Sequence, residues 1–169
     1  KSHEHALIAK FTTDPEARLY RKGAGKEAKL CFAAHALMEN RHGLCVNLTV
    51  RDAIAQTEPE VAREQLAAHR ERHDATPRTV GADKNYHTKQ FVGTCREQGI
   101  APHVAQIKGR KTEGLDGRTV RSRGYQMSQR VRKRIEEIFG WMKTIGGLRK
   151  SRYRGVARRE MCTQMVGAR

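Results

Sequence analysis

The chain has 169 residues, a net charge of +16 and a pI near 10.3, and from Arg110 onward 17 Lys and Arg stand against 5 Asp and Glu. That length suits one domain with a real core, and a positive excess concentrated in the C-terminal third implies a polyanionic partner. No apolar run approaches a membrane span, and Cys31, Cys45, Cys95 and Cys162 lack the C-x-x-C spacing of a zinc site.

Residues 1–25 read as an irregular N-terminal segment, with a turn at Asp14-Pro15 and then a Gly-broken basic loop. "EAKLCFAAHALMEN" alternates, "RHG" turns, and "LCVNLTV" places Leu44, Val46, Leu48 and Val50 on one face and Cys45, Asn47 and Thr49 on the other. This predicts an antiparallel hairpin over 27–50, although the Ala-rich first arm also suits a helix. Cys31 and Cys45, in these apolar stretches, read as buried reduced thiols. "TEPEVAREQLAAHRERH" opens with Thr57 as cap, Pro59 in the first turn and Glu60 three after the cap, and predicts a helix over 57–73. His69 and His73 are four apart on it; such a pair is far more often surface decoration than a metal site. A strand over 79–82, a helix over 86–98 carrying Phe91, Val92 and Cys95 inward, and a strand over 101–107 make a βαβ unit with parallel strands. All these strands are expected in one mixed sheet.

Asp83 stands just past the carboxyl end of a parallel strand, where α/β proteins place ligands. A helix cap for the following segment fits it equally well. Gly81 and Ala82 leave room there for close approach. Residues 108–124 are a Gly- and Arg-rich loop. "RVRKRIEEIFGWMK" then predicts a helix over 128–145, ended by Gly146-Gly147. Val131, Ile135, Ile138, Met142 and Ile145 fill one arc, with Phe139 and Trp141 at its borders. Arg132, Glu136 and Lys143 fall within roughly a 40° sector away from that arc, while Glu137 points elsewhere. Surface ion pairs, each worth a few tenths of a kcal/mol, are the plain reading of that sector. A carboxylate held in a basic groove for chemistry on phosphate is the alternative. The end, "RYRGVARREMCTQMVGAR", shows little core pattern.

"VGADKNYHTKQFV", followed some fifty residues later by "YQMSQRVRKRIEEIFGWMKTIGGLRKSRYRG", resembles the DDE transposases of bacterial insertion sequences. The likeness is closest to the insertion-sequence-five group, within the superfamily shared with insertion sequence four. "TTDPEARLYRKGAGKEAKLCFAAHALMENRHGL" resembles the same group's segment between its first two catalytic residues. The likeness spans roughly residues 12–155. The family's Tyr-(2)-Arg-(3)-Glu-(6)-Lys signature falls on Gln129, Arg132, Glu136 and Lys143, departing only at Gln129; Tyr125 is nearby but out of register.

The resemblance implies an α/β, RNase H-like mixed sheet flanked by helices, over 26–150, with 151–169 as a basic tail. It implies Asp83 and Glu136 as catalytic, metal-binding carboxylates for Mg²⁺ or Mn²⁺, and Arg130, Arg132, Lys133 and Lys143 as DNA contacts. Partners would be insertion-sequence ends and target DNA, with room for a homo-oligomer and no membrane, in the bacterial cytoplasm in association with the nucleoid. The implied reaction is metal-dependent DNA cleavage and strand transfer. Two cations about 3.5–4 Å apart activate the nucleophile and stabilise the leaving oxygen; they need carboxylate oxygens, and Arg and Lys position the backbone. The family's first aspartate lies in a strand upstream of the TTDPEARLY-like segment, and Asp14 stands in a turn and is not assigned that role. The chain is therefore read as a fragment or decayed copy, itself expected to show no strand transfer. The alternatives are a catalytically inactive basic DNA-binding remnant and an RNase H-like nuclease.

Overall fold

The structure, a computed structural model, describes residues 13–21, 23–54 and 57–168. Its strands are β1 (Arg18–Arg21), β2 (Ala28–Met38), β3 (Cys45–Asp52), β4 (Thr79–Ala82) and β5 (Ala101–Val104). Its α-helices are α1 (Glu58–His73), α2 (Lys89–Glu97), α3 (Gly117–Arg121), α4 (Arg123–Val131), α5 (Arg134–Thr144) and α6 (Val156–Gly167). This is an α/β fold with antiparallel and parallel strand pairs flanked by helices, consistent with an RNase H-like domain. None of the described helices is long and apolar enough to cross a membrane.

The hairpin forms as expected, and its Ala-rich arm is a strand. The Glu39 carboxylate accepts the backbone N–H groups of Arg41 and His42, and Gly43 takes the left-handed conformation that closes the turn. Alternation along β3 divides the two layers packed on this sheet. Leu48 and Val50 are buried on the side of α6, where Gly167 approaches the Leu48 side chain. Asn47 and Thr49 face α1, whose buried Gln65 donates its amide to Asn47 Oδ1, Thr49 Oγ1 and the His35 carbonyl. Helix α1 begins as predicted: Glu60 reaches back to accept the Thr57 backbone N–H at 2.7 Å.

The expectation of one mixed sheet is corrected. Strands β1, β2 and β3 form one antiparallel sheet and β4 and β5 a separate parallel pair. Period-2 alternation identifies strands but not partners. Strand β2 uses residues 28–31 on β1 and 32–38 on β3, and the link to β4 runs through α1 packing rather than a ladder. The main core lies over β4 and β5, where Phe91, Val92 and Cys95 of α2 meet Leu66, Ala82, Ile100, Val104 and Leu115. Leu115 comes from the Gly- and Arg-rich loop, which Arg96 pins through Gly114 O and Thr119 Oγ1. Cys31 and Cys45 are half-buried rather than buried, and the four cysteines are free.

Two further expectations change. In the segment read as irregular, residues 1–12 lie outside the described residues and 18–21 form β1. The C-terminal stretch without core pattern forms α6, which packs on β3 and α5. Its start is tied to the N-terminal turn. Asp14 Oδ1 accepts from Gly155 N and Oδ2 from Arg159 Nη2, each at 3.2 Å, and Glu16 accepts from Val156 N. The Arg159 guanidinium lies 4.4 Å from the centre of the Phe32 ring. Asp14 is thus spent on structure.

Candidate active site

Asp83 directly follows β4, at the carboxyl end of the parallel pair, and is half-buried. The cap reading of its position holds. Its Oδ1 caps a short 3₁₀ turn over 84–86 by accepting from Asn85 N at 2.7 Å, while Oδ2 bonds no described residue. Next to it, burial and the charges of Glu58 and Asp83 push the Tyr86 phenol up, so it stays protonated.

Helix α4 covers this strand end, and the room beside Gly81 is used by the helix. A Cβ built on Gly81 would stand 3.4 Å from Ser128 O and 3.7 Å from Arg132 Cβ. Ser128 is buried, with its hydroxyl 2.7 Å from His103 Nδ1 on β5. Burial and the Arg96 charge hold the His103 imidazole below its usual range. Tyr125 Oη donates to Val104 O. One turn on, Gln129 Nε2 donates to Ala82 O and His103 O, and its Oε1 accepts from Arg132 Nε. Tyr125 and Gln129 therefore share a face that sequence reasoning missed, because it started the helix at 128. Their i, i+4 spacing was the available signal.

The single helix predicted over 128–145 is two. The chain turns at Arg132–Lys133, where Ile135 and Glu136 donate to carbonyls three residues back. Such a 3₁₀ step advances about 120° per residue rather than 100°, so the common sector does not carry from Arg132 to Glu136. It does hold for Glu136 and Lys143, both on α5. The break has a packing cause: α4 is held to β4 and β5, whereas α5 packs on α6 and reaches the hairpin turn through Arg134. Met142 is buried, Val131, Ile135 and Ile138 are half-buried, and Ile145, expected inward, is exposed.

Glu136 and Glu137 open α5, where the partial positive charge of a helix N-terminus favours carboxylates. Both are exposed. Glu137 lines a shallow groove with Met38, His42, Gly43, Arg134 and Ile138; Glu136 does not. Among the described residues the ion pairs of the plain reading are absent. The side chains of Arg130, Lys133, Glu136 and Lys143 make no hydrogen bond or ion pair with any described residue, and Arg132 bonds only Gln129.

Asp83 and Glu136 offer carboxylate oxygens of the type a hard divalent cation takes. By number they fall short. Among the described residues no group of three or more His, Cys, Asp or Glu side chains could hold a metal ion. His69 and His73 stack with ring centres 4.9 Å apart and belong to no such group.

A carboxylate thus stands at the carboxyl end of a parallel strand, and helix α4, which carries Arg123 and Arg130, packs over that strand end. The family follows from comparison: the chain belongs to the family of the transposase DDE domain, whose family model matches residues 9–166. DNA is the partner this family implies, and divalent metal is its general requirement. No curated protein and no solved structure matches the chain.

Proposed function

We propose that this chain is the catalytic domain of an insertion-sequence transposase, of the insertion-sequence-five group, for cleavage and strand transfer at DNA ends. Asp83 and Glu136 act as two of its metal-binding catalytic carboxylates. Arg130, Arg132, Lys133 and Lys143 hold the DNA backbone. A bound Mg²⁺ or Mn²⁺ would supply Lewis acidity at the scissile phosphate. The chain's own part is to position the backbone and to present two carboxylates that the fold leaves unneutralised. The observation that carries this reading is that Arg132, Glu136 and Lys143 form no ion pair with any described residue. Charges serving only as surface ion pairs would meet one another.

The absence of a three-carboxylate group among the described residues favours a second reading, a basic DNA-binding domain without catalysis. One experiment separates the two. Both readings expect salt-dependent DNA binding, with Lys143→Ala lowering the slope of log K against log[salt] by about one. Only the first expects Mn²⁺ binding that Glu136→Gln and Asp83→Asn each weaken by about tenfold or more, since loss of even an outer-shell partner costs that much. Glu137→Gln should leave it within about twofold. Equal loss at Glu136 and Glu137, or no Mn²⁺ response, would refute the catalytic reading.

A further inference from the structure

Arg132 is held in an unusual way for a residue assigned to DNA. Its Nε donates to Gln129 Oε1 at 2.8 Å, and neither Nη group has a partner among the described residues. The other end of the same Gln129 amide is anchored twice, to Ala82 O at 3.2 Å and His103 O at 2.5 Å. These carbonyls belong to the last residue of β4 and the next-to-last of β5. Ala82 immediately precedes Asp83. The amide orientation is fixed by its surroundings, because carbonyls require the NH₂ group and an N–H requires the oxygen. A glutamate could not donate to the carbonyls, and a leucine could do neither.

We propose that Gln129 is a positioning residue: it references the Arg132 guanidinium to the carboxyl ends of both parallel strands, so that the two Nη groups face a DNA phosphate at a set distance from Asp83. This rests on the proposed reading of Arg132 as a backbone contact. The guanidinium edge used on Gln129 is the Nε side. The Nη pair, with four N–H donors, stays free for bidentate contact with phosphate oxygens. The side chain gives up rotamer freedom in the free protein and does not lose it again on binding.

The test is a double-mutant cycle of DNA affinity on the whole chain, with thermal unfolding measured alongside. One phosphate contact at 0.1 M salt is worth about eightfold through counterion release. R132A should therefore weaken binding about eightfold, and Q129L should lose most of that factor with Arg132 still present. The Q129L/R132A chain should bind within about twofold of R132A alone. A purely structural role for Gln129 would lower Tm yet leave the R132A effect intact; multiplicative losses, or Q129L binding like wild type, would overturn the proposal. If Q129L does not fold, the wild-type chain decides by NMR. The Arg132 Nε–H, assigned by its disappearance in R132K, should exchange with solvent at least about tenfold more slowly than that of the exposed Arg130. Equal rates would overturn the proposal. R132A binding DNA like wild type would refute the DNA reading of Arg132, while the exchange rate still decides the Gln129 bond.

Discussion

Removing the Asp14 carboxylate should unlatch the C-terminal helix without touching Asp83 or Glu136. Its carboxylate accepts from Gly155 N and Arg159 Nη2, and the two side chains are only 12% and 23% exposed. Two accepted hydrogen bonds at about 1 kcal/mol each set the lower bound. Stranding the guanidinium sets the upper one, since breaking a buried ion pair costs about 3–5 kcal/mol. The exposed part of Arg159, and its contact with Phe32, draw the figure for D14A down to about 3 kcal/mol. For a chain of this size that is a fall in Tm of about 6–12 °C. Urea unfolding followed by circular dichroism reads the loss directly. The D14A/R159L double variant should recover more than half of it, because the uncompensated charge goes too. Mn²⁺ titration should be unchanged in D14A. A loss below about 0.5 kcal/mol would place Asp14 among ordinary surface positions and refute the latch. Full stability with weakened Mn²⁺ binding would instead make Asp14 the third carboxylate.

Gly146→Ala should lower the urea midpoint, at a cost of about 1–3 kcal/mol for overpacking. The added Cβ would stand 2.5 Å from Val166 Cγ1 and 2.7 Å from Met142 O, where α5 meets α6; an unchanged midpoint would show that this contact is not tight. Burial pushes the Cys95 thiol up to about 11 from 9.0, so a thiol reagent at pH 8 should leave it unmodified in the native chain and label it only in denaturant. The same shift sets a pH dependence, because the unfolded chain ionises first. Stability from this group is intact below pH 9 and falls as pH rises toward 11, and comparison with Cys95→Ala isolates the slope.

What the amino-acid sequence disclosed was local. The strand Thr79–Ala82, the capped start of α1 and the inward trio Phe91, Val92 and Cys95 all follow from capping chemistry and periodicity within a few residues. Strand β1 was hidden because Leu19 and Tyr20 are about half exposed, so its four residues owe their form to pairing with β2 rather than to a buried pattern. Helix α6 was hidden for a related reason: Met161 and Met165 face outward, and its hold on the fold comes through Thr163, Gly167 and the Asp14 latch. The position of Asp83 was legible from a strand followed by a capping residue. The task of Gln129 was not, since two of its three partners are backbone carbonyls brought there by strands 26 and 47 residues away.

The buried Gln65 amide bears on how the hairpin finds its alignment. Its nitrogen shares its hydrogens among three acceptors, and two of them, Asn47 Oδ1 and Thr49 Oγ1, face it only when β3 is correctly aligned; the third is the His35 carbonyl of β2. Slipping β3 by one residue would turn Leu48 and Val50 toward the helix and leave the amide only the His35 carbonyl, at a cost of about 1 kcal/mol. Correctly aligned, the contact adds little more than a leucine there would. Its effect is to make the misaligned hairpin worse, so Gln65 works as a proofreader of strand alignment.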